Sequence, residues 1–425
     1  MVNEWSALSL DKALDINPRV QLEQDKVYPF VDMQSINPSV KDVYSSEDRV
    51  FRGQGSRFRD GDTLLARITP CLENGKIARY VSNTDVKEAH GSTEFIVIRG
   101  REGVTDNLFA YYLVRSEIVR RYLISQMTGS SGRQRVPVRA FADLTTELPP
   151  LIEQRAIAGV LRALDDKIEL NRQMCKTLED TAQAIFKSWF IDFDPVYARA
   201  AGKQPKGMNP EIAALFPDSF DDSHLVPKGW SLEGLDSLGA FLNGLALQKY
   251  PPTEDEWLPA IKIAQLRTND TRNANKVSSN ISEEYIVEDG DILFSWSGSL
   301  ECVLWTGGKG ALNQHLFKVT STNYPKWFIY FWIQHHLPEF RHIAAGKATT
   351  MGHIQRHHLK DAKVIIPSSN ILEIANRIID PLFENIIIRS LESKQLEYIR
   401  DLLLPQLISG SLRVSDAENI INRCR

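Results

Sequence analysis

The stretch "LIEQRAIAGVLRALDDKIELNRQMCKTLEDTAQAIFKSWF", Leu151 to Phe190, decides how the rest of the chain is read. Alternating steps of four and three residues from Ile157 meet Leu161, Leu164, Ile168, Asn171, Cys175, Leu178, Ala182, Ile185 and Trp189. That 3.5-residue repeat, with one polar interruption, is a coiled-coil seam. A helix that merely covers a globular core averages about 11–12 residues, so the length favours the seam. Asn171 at a seam position fixes register and partner orientation at some loss of stability.

A partner lies at the other end of the sequence, "ILEIANRIIDPLFENIIIRSLESKQLEYIRDLLLPQLISG", Ile371 to Gly410. A shift of 218 residues carries Leu164 to Leu382, Ile168 to Ile386, Leu178 to Leu396 and Ile185 to Leu403, and Asn171 to Arg389. Pro381 is expected to kink or break this second helix, because its ring clashes with the preceding turn. The echo extends to the segments before each helix: "EWSALSLDKAL" from Glu4 with "GWSLEGLDSLG" from Gly229, "RDGDTLLARITP" from Arg59 with "EDGDILFSWSGS" from Glu288, and "STEFIVIR" from Ser92 with "NQHLFKVT" from Asn313. The chain therefore reads as two tandem copies of one unit, a compact α+β or β-rich domain followed by a long helix. Strands are expected at Thr63–Ile68, Phe95–Arg99, Ile292–Trp296 and Leu316–Thr320, and helices at Leu108–Gln126 and Lys326–Ala344. Between the copies a segment with Pro195, Pro205, Pro210, Pro217 and Pro227 reads as an ordered but irregular connector.

Composition bounds the function. With 425 residues, 43% apolar and 24% charged, the chain has the make-up of an ordinary globular protein of two or three domains. Its net charge of -4 exerts no global pull toward nucleic acid or membrane, so any nucleic-acid surface must be local. Cys71, Cys175, Cys302 and Cys424 stand singly, which fits a reducing cytoplasm better than a disulfide framework. No apolar run approaches the roughly 20 residues that cross a bilayer, and "VNEWSALSL" after Met1 does not read as a leader.

Catalytic constellations are missing from the sequence. It has no phosphate-binding loop ending in Lys-Ser or Lys-Thr, no dinucleotide fingerprint and no Gly-x-Ser-x-Gly elbow. The carboxylates of "PDSFDD" at Pro217 and "ENGK" at Glu73 are far apart, and a turn and a surface loop account for them. His335, His336, His342, His353, His357 and His358 fall in one window, and the spacing of His353 and His357 allows a shared helix face. Without Asp, Glu or Cys beside them, a weakly basic surface is expected rather than a metal site.

Charge does concentrate locally. Arg115, Arg120, Arg121, Arg133, Arg135 and Arg139 face a single acid, Glu117, in their window, and Arg341, Lys347, Arg356, Lys360 and Lys363 face only Asp361 in the matching one. Each patch surrounds a polar loop, "TGSSGRQR" from Thr128 and "GKATTMGHIQR" from Gly346. Small residues let backbone approach phosphate, while Arg and Gln side chains fit guanine and adenine edges in the major groove. Ser130, Ser131, Arg133, Gln134 and Arg135 in the first loop, and Lys347, Thr349, Thr350, His353, Gln355 and Arg356 in the second, are the candidate DNA contacts, flanked by Arg120 and Arg121. Two equivalent loops point to a bipartite nucleic-acid reader.

"LPPLIEQRAIAGVLRALDDKIELNR", "FKSWFIDFDPV", "GMNPEIAALFPDSF", "VPKGW" and "LLLPQLISG" together resemble the specificity subunit of type I DNA restriction-modification systems, over nearly the whole chain. The resemblance implies an α+β fold: two tandem target recognition domains separated by the family's two conserved helices, packed as an antiparallel coiled coil with a pseudo-twofold internal repeat. It implies boundaries at 1–150 for the first recognition domain, 151–193 for the central helix, 194–229 for the connector, 230–367 for the second recognition domain, 368–410 for the C-terminal helix and 411–425 for a tail. Arg67 and Thr69 of "DGDTLLARITP", Asn74 and Lys76 just beyond it, and Ser295 and Ser297 of "DGDILFSWSGS" become further candidates for DNA contact.

The resemblance also implies a chain without catalytic activity that binds double-stranded DNA and docks two modification (methyltransferase) subunits and, through them, restriction (helicase-nuclease) subunits. S-adenosylmethionine, ATP and magnesium would then be used by those partners, with no cofactor on this chain. The alternative is an orphan bipartite DNA-binding or scaffold protein lacking a methyltransferase partner; an autonomous nuclease has no carboxylate cluster to support it. Leu151 to Phe186, about 54 Å at about 1.5 Å per residue, is long enough to separate domains that visit one face of DNA a turn apart. Treated as a ruler, the helix is expected to tolerate four residues inserted after Thr181, because Ala182 is expected to bury little area.

Overall fold

The computed structural model describes residues 5–130, 132–221, 226–253, 255–346 and 352–423. Ser131, Lys347, Thr349 and Thr350 lie outside the described residues. Two compact units divide the chain, Met1–Leu170 with Ser393–Arg425, and Asn171–Glu392. The helix Leu151–Phe186 gives its first half to one unit and its second half to the other, and the helix Ser369–Ile408 does so in the opposite order.

In the first unit a five-stranded sheet runs in the order Leu14–Ile16, Phe95–Gly100, Thr63–Ala66, Ile77–Tyr80, Asp42–Val43. A four-stranded sheet runs Glu47–Val50, Val27–Val31, Glu88–Gly91, Ser56–Arg59. The second unit has four strands in the order Ala240–Asn243, Leu316–Thr320, Ile292–Ser295, Cys302–Leu304, and four more in the order Lys276–Ser278, Trp257–Ile261, Gly310–Leu312, Ile286–Val287. A two-stranded ribbon closes each: Ser6–Ser9 with Thr145–Leu148, and Ser231–Gly234 with Lys363–Ile366.

The ribbons establish the register of the internal repeat. Leu148 pairs with Ser6 and Ile366 with Ser231, and each long helix starts three residues later, at Leu151 and Ser369. The helices are therefore equivalent at a shift of 218. The shift is one residue larger in the helices Asn107–Arg115 and Lys326–Ala345, whose N-caps are Asp106 and Pro325. There Arg115 donates to the Tyr111 hydroxyl and Gln334 to the Tyr330 hydroxyl. The "DGD" turns agree as well: Gly61 and Gly290 both sit at φ +87°, where a side chain is strained, and Asp62 and Asp291 accept from the backbone amides of Arg59 and Glu288.

In the first unit, the start of one long helix packs against the end of the other, with Leu161 and Leu164 sharing a core with Leu403, Leu404 and Leu407. In the second, Ala182 and Phe186 share a core with Ile371, Ala375, Ile379 and Phe383. Asp165 meets Arg400, and Cys175 lies 3.7 Å from the Ser390 hydroxyl; ten residues forward on one helix correspond to ten back on the other, which is antiparallel pairing. Ile168 is buried, Leu396 is partly buried against the first core, and Ile185 is partly buried against the second. Leu178 is half-buried. Asn171 is fully buried and donates from Nδ2 to Glu392 at 2.9 Å, while its Oδ1 has no partner among the described residues. Such a half-satisfied polar layer disfavours other registers more than it adds stability.

Several expectations are corrected. Pro381 lies inside a continuous helix and does not end it. Leu382 and Ile386 are partly buried against the second core, as Ile185 is, and lie beside the buried residues Ile379, Phe383 and Ile387, which recur every four residues. The patch Leu108–Gln126 is two helices, Asn107–Arg115 and Glu117–Ser125, separated by Ser116 in an extended conformation. The central helix passes at Lys187–Ile191 into a π-helical turn. Ala182 is fully buried in the second core, so an insertion after Thr181 displaces core residues instead of sparing them. The connector is less irregular than expected: it forms the helices Asp194–Ala200 and Pro210–Ala213 and contributes Val196 and Phe216 to the second core.

Candidate nucleic-acid interface

The strand that follows each "DGD" turn leads straight to a loop root. Beyond Thr63–Ala66, the Arg67 amide donates to Glu94 O at 2.9 Å, Val136 donates to Arg67 O at 2.9 Å, and Thr69 donates to Gln134 O at 3.0 Å. Beyond Ile292–Ser295, Trp296 donates to His315 O at 3.3 Å, Ile354 to Trp296 O at 2.9 Å, and Gly298 to Gly352 O at 2.8 Å. Three backbone bonds thus repeat in both units, and they pin the end of each polar loop to the end of a core strand. The strand is rigid because its residues are buried on both faces, so the loop projects from a fixed edge.

In the first unit the loop closes on itself through Thr128 and Arg135, whose amides and carbonyls exchange bonds of 2.9 and 3.0 Å. Gly129, at φ +132°, passes so near Arg133 that a Cβ would sit 3.0 Å from its carbonyl oxygen. Ser130 and Arg133 at the tip are exposed, and Gln134 behind them is half-buried, its amide donating to the Thr69 hydroxyl at 3.1 Å. Arg135 is clamped by Glu94: its Nε donates at 2.9 and 3.0 Å and its Nη2 at 2.6 Å. That hydrogen bonding, together with the Arg135 charge, holds the Glu94 carboxyl below its ordinary range despite partial burial.

The same place in the second unit holds different chemistry. Trp296, His315 and His353 stand where Arg67, Glu94 and Arg135 stand in the first, with ring centroids 5.9 Å and 6.3 Å from Trp296. The Trp296 indole donates to Asn243 Oδ1 at 2.8 Å, and Ser297 Oγ lies 2.9 Å from His315 Nδ1.

The remaining candidates divide. Arg120 lies against the turn that carries Asn74 and Lys76, near enough to Gly75 that a Cβ there would be 3.0 Å from its guanidinium. Asn74 is exposed, whereas Lys76 donates to Met33 O at 2.6 Å. Arg121 is exposed and paired with Glu117 at 2.6 Å. Gln355 is exposed at the N-cap of the helix Arg356–Asp361, and Arg356 is exposed with one bond to Phe241 O at 3.2 Å.

Ser295 and Ser297 are buried and Arg67 is half-buried, so these three candidates are not freely exposed groups. Ser295 is fully buried, its hydroxyl donating to Ser299 O at 2.7 Å. Arg67 turns inward to donate to Val136 O at 3.0 Å. Arg115, counted in the basic window, points at Tyr111 and not at solvent. His353 pairs as a bridge with Ser297 ahead of the helix that carries His357, so the two do not share a helix face. No group of three metal-ligating side chains occurs among the described residues.

The sequence reading missed Glu94, Trp296 and His315, although "STEFIVIR" and "DGDILFSW" contain Glu94 and Trp296; it also missed Arg19 and Arg57, which line with Arg67 an open cleft of about 440 Å³.

The model of the type I restriction modification DNA specificity domain matches residues 17–180 and again 227–398. The chain belongs to that family, and it is a DNA-recognition subunit of a type I restriction-modification complex rather than a catalytic one. It is 28% identical over 414 residues to the type I restriction enzyme HindI specificity subunit of Haemophilus influenzae, covering 85% of this chain and 88% of that one. It is 28% identical over 337 residues to the MjaIX specificity subunit of Methanocaldococcus jannaschii, covering 74% and 71%. The crystal structure of the type I restriction-modification S subunit from M. genitalium shares the fold at a TM-score of 0.50, with 13% identity, covering 95% and 96%.

Proposed function

We propose that this chain reads an asymmetric, interrupted double-stranded DNA sequence through the major groove, one half per recognition domain, from the loops 128–135 and 346–356. The observation that carries the reading is the loop root: the same three backbone bonds in both units, with Arg67, Glu94 and Arg135 in one and Trp296, His315 and His353 in the other. One scaffold with two side-chain sets is what two different half-sites require. The boundaries 1–150 and 230–367 are our reading of the recognition domains. Ser130, Arg133, Gln134, Arg135, His353, Gln355 and Arg356 are the residues assigned to DNA.

Two modification subunits dock on this chain, and restriction subunits join through them, in the cytoplasm. Leu170 and Ile388, equivalent at a shift of 218, are 49% and 57% exposed, which supports two like docking surfaces. S-adenosylmethionine, ATP and magnesium belong to the partner subunits. Co-expression with a modification subunit, followed by native mass spectrometry and methylation of plasmid DNA, tests the reading. A complex of two modification subunits per chain, methylating one interrupted motif, is expected. Methyl transfer by the purified chain alone overturns it.

A further inference from the structure

We propose that Glu94 is a positioning residue for base recognition: it holds one edge of the Arg135 guanidinium so that the other edge addresses a guanine in the first half-site. The inference rests on the DNA-reading function above and deepens it. A guanidinium has two edges that can donate in pairs, Nε with Nη2 and Nη1 with Nη2. Glu94 takes the first pair, at 2.9 Å from Nε and 2.6 Å from Nη2. Nη1 makes only a 3.5 Å contact, to the Arg133 carbonyl. The Nη1 and Nη2 edge therefore stays available, and its two parallel donors match the O6 and N7 acceptors of guanine.

Position supports the same role. Arg135 closes the loop through both of its backbone groups to Thr128, and it is followed by Val136, which is fully buried and bonded to Arg67. Its Cα is thus fixed by the core, while its side chain is 43% exposed and Glu94 is 25% exposed. An arginine on a free loop would lose rotamer freedom on binding a base; one already clamped loses less. A surface ion pair with no further role contributes little to stability, so stability alone is a poor reason for this geometry. The second unit retains the backbone and discards the pair, placing His315 and His353 there. The site is therefore one where the two copies differ in reading chemistry while agreeing in frame.

The test uses the full chain co-expressed with its modification subunit in a host lacking other methylation, with methylated positions mapped by sequencing. Glu94→Gln and Arg135→Lys are each expected to admit other bases at one G·C position of one half-site, with methylation of the original site slowed about tenfold or more. Glu94→Asp is expected to recover part of the preference, and the other half-site to stay unchanged. An unaltered motif in both variants, with only lower thermal stability or lower total methylation, overturns the proposal, as does relaxation in both half-sites. Wild type in the same experiment reports the underlying reading separately: an interrupted motif there, with unmoved variants, overturns the role of Glu94 alone, whereas no motif in wild type overturns both.

Discussion

Arg400 donates a 2.8 Å hydrogen bond to Asp165 across the two long helices, and the two side chains are only 5% and 4% exposed. Tyr112 donates to the other Asp165 oxygen at 2.7 Å, and burial together with the Asp165 charge pushes its hydroxyl far above the ordinary tyrosine range. At the equivalent places of the second unit stand Phe331, Phe383 and Ala182, all buried, with the two phenylalanine rings 6.0 Å apart. One copy thus fills this layer with an ion pair and the other with an apolar contact. Removing one partner of a buried pair strands the other charge, so Arg400→Ala is expected to destabilise the fold by about 3–5 kcal/mol. The triple change Tyr112→Phe, Asp165→Phe and Arg400→Ala installs the second copy's chemistry and is expected to come within about 1.5 kcal/mol of wild type or exceed it. Urea unfolding followed by circular dichroism checks both; a triple variant as unstable as the single one contradicts the equivalence of the layers.

Gln154 is almost fully buried at the start of the central helix and anchors it to the first recognition domain. Its Oε1 accepts from the Asp106 amide at 2.8 Å, and its Nε2 donates to Val104 O at 2.9 Å and Pro149 O at 2.8 Å. Gln154→Leu keeps the volume and leaves three backbone groups without that partner. A loss of about 1–3 kcal/mol or more is expected, since each stranded group carries a penalty of that order. A thermal melt that does not move contradicts this account of the anchor.

Arg133 sits at the exposed tip of the first loop, and its effect on DNA binding separates base from phosphate contact. If it reads a base, Arg133→Ala weakens the complex on its own site by about 1–3 kcal/mol and leaves non-specific affinity nearly unchanged. If it meets a phosphate, affinity falls evenly on all sequences and the salt slope drops by about one. We expect the first result, from fluorescence binding of the whole complex at several salt concentrations.

Glu94 gives the first loop a defined acid limit. Its carboxyl is lowered in the folded state by the hydrogen bonds from Arg135, so the associated stability is present above the unfolded value of about 4.3 and is lost as pH falls through the folded one. The difference in melting temperature between wild type and Glu94→Gln is expected to be constant from about pH 8 to about pH 5, and to close below about pH 4. A difference that persists unchanged at about pH 3 contradicts a role for the charged carboxylate.

The repeat and the long helices were legible because hydrophobic spacing and motif order are local properties of the sequence: Leu161, Leu164 and Leu403 declared themselves by period alone. Which residues share the loop root was not, because Glu94 is 41 residues from Arg135 and meets it only through the pairing of core strands. Charge counting in a window also misled. Arg115 belongs to the basic stretch by position, but its helix turns it toward Tyr111, and Arg67 is drawn inward by the Val136 carbonyl. Pro381 was expected to kink or break the second helix; it does not break it, and Ile379 and Phe383 on either side are buried in one core. Tertiary packing there outweighs the local loss.

The central claim is that each recognition domain reads its own half of one interrupted DNA sequence, and mapping methylated positions for two loop variants tests it most directly. The full complex carrying Arg133→Ala with Gln134→Ala, and separately the complex carrying His353→Ala with Arg356→Ala, are each compared with wild type. Relaxed bases confined to one half-site in the first variant and to the opposite half-site in the second are predicted. Relaxation of the same half-site by both variants, or an unchanged motif in both, would contradict the account.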